Sequence, residues 1–66
     1  MYKLIEILDG SDYEYGKILS EDVDEEGQKM FKIQLLDWQW KEKKFMGELM
    51  IEYHYPDSIK TIGHVK

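Results

Sequence analysis

Sixty-six residues with a net charge of −5 and no cysteine describe one small domain, near the size at which a single core only just suffices. They leave no room for a large enclosed active site and exclude a disulfide framework, a thiolate metal site and a cysteine nucleophile. Ala, Arg and Asn are absent while Ile, Tyr, Phe, Trp and Val fill short alternating runs, so the composition favours sheet over helix and leaves the turns to Asp, Gly, Ser and Pro56.

The first predicted strand covers residues 2–8 and closes on Asp9-Gly10, a tight-turn dipeptide. Its apolar residues lie on both faces, as in a central or doubly covered strand. Glu6 interrupts its apolar run and no small-residue cleavage site follows, so it does not read as a signal peptide. No run approaches the roughly 20 apolar residues of a membrane span. A soluble, cytoplasmic protein with no membrane contact is expected.

A second strand is predicted over residues 13–20, with Tyr13, Tyr15 and Leu19 on one face and Gly16 where a bend or bulge fits. Residues 21–27, Glu-Asp-Val-Asp-Glu-Glu-Gly, read as a hairpin loop whose Gly27 supplies a positive φ. The third strand carries Phe31, Ile33 and Leu35 on one face, then Leu36, Trp38 and Trp40 on the other. That parity switch predicts a bulge or bend near residues 35–37. Lys41-Glu42-Lys43 forms the next turn.

Residues 44–55 alternate strictly, which predicts a half-buried strand with Phe45, Gly47, Leu49, Ile51, Tyr53 and Tyr55 on one face and Met46, Glu48, Met50, Glu52 and His54 on the other. Tyr55-Pro56-Asp57-Ser58 ends it. A last strand spans Ile59–Val65, although Ile59 and Ile62 also suit one helical turn. Five short antiparallel strands give an all-β fold class: a small SH3-like barrel or a strongly bent sheet. Asp37-Trp38-Gln39-Trp40, the later Gly47 and Pro56-Asp57-Ser58-Ile59 resemble the tryptophan pair, glycine and proline-containing final turn of SH3 domains. The resemblance implies the barrel. The acidic alternating tyrosine motif of those domains is absent from the start of the chain.

Motifs for chemistry are few. Asp22, Asp24, Glu26 and Gly27 match the first half of a calcium loop, but its twelfth position, which needs a bidentate acid, is Ile33. His54 and His64 could pair if the last two strands were neighbours, with Glu52 beside His54, yet no further ligand is spaced for zinc. Ser11, Ser20 and Ser58 lack elbow glycines, a base and an orienting acid. A non-enzymatic protein without cofactor or metal is therefore expected.

Charge is unevenly distributed. Residues 1–27 hold two lysines and nine acids, a sum of −7, whereas residues 28–66 hold seven lysines and five acids, a sum of +2. The leading expectation is a protein-binding module that meets a basic partner through Asp22, Asp24, Glu25 and Glu26, with Tyr13, Tyr15, Trp38 and Trp40 as anchors. A sharper form is a small inhibitor, of the kind phages or mobile elements encode, that blocks a nucleic-acid-handling protein. The alternatives are single-stranded nucleic-acid binding by Trp38, Trp40, Lys41, Lys43 and Lys44, opposed by the negative charge and the absence of Arg, and a homodimer formed through an edge strand.

Overall fold

The computed structural model describes residues 1–9, 15–39 and 41–65. It contains β1 (Tyr2–Ile7), β2 (Tyr15–Val23), β3 (Lys29–Gln39), β4 (Lys44–His54) and β5 (Ile59–Val65), with one 3-10 turn, Pro56–Ser58, leading into β5. The strands form a single sheet in the order β4-β3-β2-β1-β5, each neighbour antiparallel.

This sheet is curled. Ile5, Ile7, Ile33 and Leu35 form the buried centre of its inner face, and Ile18, Phe31, Leu49 and Ile59 pack against them, so that all five strands reach one cluster. The curl also explains why His54, at the end of β4, lies 3.2 Å from Asp9, just past β1. Those strands are three places apart, a separation of about 14 Å in a flat sheet. Because β4 and β5 are the two edges, the result is a half-barrel, the strongly bent form of the expected fold.

Extra residues in the pairing produce the bend. Ile18↔Ile33 is followed by Ser20↔Lys32, leaving Leu19 extra on β2, and Leu4↔Gly63 is followed by Ile5↔Thr61, leaving Ile62 extra on β5. On β4, Gln34↔Ile51 and Leu36↔Glu48 set Leu49 and Met50 against Leu35 alone, and Asp37↔Gly47 and Trp38↔Phe45 leave Met46 over. Bulges of this kind bend a strand and sharpen its twist. The irregularity expected at residues 35–37 is present, but the extra residues belong to β4. Along β3 it is the covered face that changes: Leu35 ends the inner core, and Leu36, also buried, begins a second cluster on the outer face.

Two bulges within β4 break its strict alternation. Leu49 still faces the core, but beyond the second bulge Glu52 lies across from Ile33 and His54 across from Phe31, on the inner side. Ile51, Tyr53 and Tyr55 consequently face out, at 46%, 53% and 43% exposure. The single apolar face expected over residues 44–55 is therefore divided. Gln34, buried on the outer side of β3, closes the bulge by donating its amide Nε2 to the Leu49 carbonyl at 2.6 Å.

Gly16 serves close packing and not a bulge. It sits between Ile5 and Leu35, and a Cβ there would fall 2.5 Å from Ile33 Cγ2 and 2.9 Å from the Gln34 carbonyl oxygen. The expected acidic loop is shorter than its sequence suggested, because β2 continues through Glu21, Asp22 and Val23.

Candidate functional site

Antiparallel pairing sends the two hairpin turns to opposite ends of β3. At one end is the acidic turn between β2 and β3; at the other, about 33 Å away for eleven extended residues, is the turn Lys41-Glu42-Lys43, exposed together with Lys44. The charge asymmetry along the chain thus becomes an asymmetry along the molecule, whose longest dimension is 41 Å.

The acidic turn is organised by Asp24. Its Oδ1 accepts the backbone N–H groups of Glu26 at 2.9 Å and Gln28 at 2.8 Å, and Gly27, at φ 84°, turns the chain back. Its other oxygen accepts the phenol of Tyr55 at 2.8 Å. The Gln28 N–H, followed by the Tyr55 hydroxyl, holds the Asp24 carboxyl below the usual carboxylate range, and the same hydrogen bond pushes the Tyr55 phenol up. Asp24, Glu25, Glu26, Gln28 and Tyr55 line an open groove of about 370 Å³. Three donors already occupy the Asp24 oxygens, so Asp24 acts as the internal cap of a turn.

The expected anchors do not all gather here. Asp22 pairs with Met30 and Tyr15 with Leu36, seven residues or about 23 Å apart along β2. Tyr15 and Trp38 instead form a half-buried cluster with Phe45, with ring centroids 6.1 Å apart for Tyr15–Trp38 and 4.7 Å for Trp38–Phe45, both edge-on. Beside it a groove of about 220 Å³ is lined by Lys17, Leu36, Phe45, Gly47, Glu48 and Val65. Lys17, with 14% of its side chain exposed, reaches Glu48 at 3.6 Å and lies over the Tyr2 ring. Tyr13 and Trp40 lie outside the described residues.

Residues that the sequence did not single out complete the acidic end. Tyr55 touches Asp24 directly, and Tyr53 and Ile51 continue its outward row along β4. Hairpin counting outward from Gln39↔Lys44 places residue 54 opposite residue 29, beside the acidic turn, a signal that was available; the two bulges move the actual pairing to Phe31↔His54.

The two histidines are separated, since His64 pairs with Lys3 at the start of β1 while His54 meets Asp9, beyond its end. His54, with 10% of its side chain exposed, has Nδ1 3.2 Å from Asp9 and Nε2 2.9 Å from Glu52. Each ring nitrogen thus faces a carboxylate oxygen, and a neutral imidazole can donate to only one of the two. Among the described residues no group of three or more His, Asp or Glu side chains is placed to hold a metal ion. Comparison of the chain with protein-family models, curated proteins and solved structures gives no match.

Proposed function

We propose that the domain is a non-enzymatic protein-binding module that meets a basic partner with the acidic β2–β3 turn and the adjoining outer row of β4. The observation that carries this reading is the adjacency of the two: Ile51 and Tyr53 stand exposed on an edge strand with Tyr55, also exposed, directly after it, and Tyr55 is hydrogen-bonded to the acidic turn. Exposed tyrosines beside fixed carboxylates suit an interface in which aromatic anchors supply the contact and charge supplies steering and selectivity. An acidic end of this shape also suits a basic groove that otherwise holds nucleic acid, which is how the domain would act as an inhibitor.

The test is retention of a specific partner on the immobilised domain across a salt series, with half of each sample treated with nuclease. A folded variant carrying Asp22→Asn, Asp24→Asn, Glu25→Gln and Glu26→Gln is run beside the parent chain. Retention that survives nuclease, falls with salt and is lost in the variant supports the proposal; full binding by the variant at physiological salt refutes it. Retention that disappears with nuclease favours a nucleic-acid site around Trp38, Lys41, Lys43 and Lys44 instead.

A further inference from the structure

We infer that the edge of β4 over residues 51–54, unpaired among the described residues, accepts an extended segment of the partner as an added strand, and that this segment alternates basic and apolar residues. The inference rests on the protein-binding reading above and names its mode.

An open sheet has two edges, each a template for unwanted pairing, and soluble proteins blunt them with bulges, short strands and charges. Here β5 carries the extra residue Ile62 and the exposed Lys60. The first half of β4 carries extra residues at Met46 and within Leu49 and Met50, together with exposed Lys44 and Glu48. Residues 51–54 are different, running in unbroken register against residues 31–34 and presenting a straight stretch of edge.

The side chains of that stretch specify what fits. Outward, Ile51 and Tyr53 are about half exposed, and Tyr55 follows. An added strand would cover them with apolar residues at every second position. Inward, Glu52 and His54 stand with Asp9, a group that is net negative whichever charge His54 carries. Closing a neutral strand over it would bury its excess negative charge, whereas a Lys or Arg at the intervening positions offsets that charge. The acidic turn at Tyr55 extends the same preference. A second copy of β4 is a poor occupant, because it would set this acidic group against itself.

The probe is a seven-residue peptide alternating lysine and valine, added to the full chain and followed by amide hydrogen exchange and calorimetry. Controls are the same peptide N-methylated at every second residue, in both phases, and a peptide alternating glutamate and valine. The lysine–valine peptide is expected to slow exchange about tenfold or more at amides within residues 51–55, with at least one N-methylated phase binding about tenfold more weakly and the glutamate peptide not binding. Equal binding of both methylated phases overturns strand addition while leaving the acidic-surface proposal standing. Protection confined to β5, no binding up to about 1 mM peptide, or protection that rises with protein concentration alone would also overturn it.

Discussion

Gly16→Ala adds one methyl group, and the structure determines its sign. At a backbone angle open to other residues, this substitution ordinarily stabilises by about 0.4–1 kcal/mol, because it restricts the unfolded chain. Gly27 is the only glycine with positive φ among the described residues, so backbone strain does not oppose the change at position 16. Packing does, because the new Cβ would lie 2.5 Å from Cγ2 of Ile33, which is 0% exposed, and 2.9 Å from the carbonyl oxygen of Gln34. A main-chain oxygen held between two strands cannot swing aside, and overpacking of this kind costs about 1–3 kcal/mol or more. With the unfolded-state gain subtracted, the expected net loss is about 0.5–2.5 kcal/mol, against a total stability of roughly 3–10 kcal/mol for a chain of this length. At about 4–8 °C per kcal/mol, melting should fall by about 2–20 °C. Gly47→Ala is the internal control: a Cβ there meets nothing within 4 Å, and a gain of up to about 1 kcal/mol is expected. Urea unfolding followed by far-ultraviolet circular dichroism measures both. A Gly16→Ala domain as stable as the parent chain would refute the packing argument.

Gln34→Leu removes the amide that the Leu49 carbonyl accepts; a loss of about 1–2 kcal/mol is expected for the buried acceptor left behind, read from the urea midpoint. Ile33→Ala, at the fully buried centre of the inner face, should cost about 2–5 kcal/mol, a large share of the total stability, read from the same urea midpoint. Because the folded Asp24 carboxyl is lowered, its contribution is present above the ordinary carboxylate range and is lost as pH falls through the lowered value. Carbon-detected NMR titration should show this, and Tyr55→Phe should move Asp24 back upward. The raised Tyr55 phenol has the opposite sense: its contribution is present below the ordinary phenol range and is lost as pH rises through the raised value, which ultraviolet absorbance at alkaline pH reports.

Much of the architecture was legible because alternation and turn residues act locally. Ile59–Val65, the turn at Lys41-Glu42-Lys43, the positive φ of Gly27 and the irregularity near Leu35 all follow from residues adjacent in the chain. The facing of β4 did not. A bulge is a property of two paired strands, and the sequence of β4 alone cannot show that Leu49 and Met50 together face Leu35. Gln34 gave no sign of burial for the same reason, since its partner carbonyl exists only once the bulge forms. The contact of His54 with Asp9 needs the curl of the whole sheet. At the acidic end, the carboxylates could be named from composition, but the tyrosine beside them lies 31 residues further along the chain, and Tyr15 and Trp38, two of the aromatics that alternation favoured, pack together at the opposite end.

The double occupancy opposite Leu35 separates the course of the edge strand from the identity of its surface. Deleting Met50 would leave Leu49 alone across from Leu35, with Ile51 still across from Gln34 and Glu52 still across from Ile33, so Ile51 and Tyr53 would keep their outward facing. What such a deletion removes is the local bend and added twist that the extra residue supplies. A domain one residue shorter would carry the same oil on its flank along a straighter line, and the direction in which that flank is offered to another molecule is what the single added residue decides.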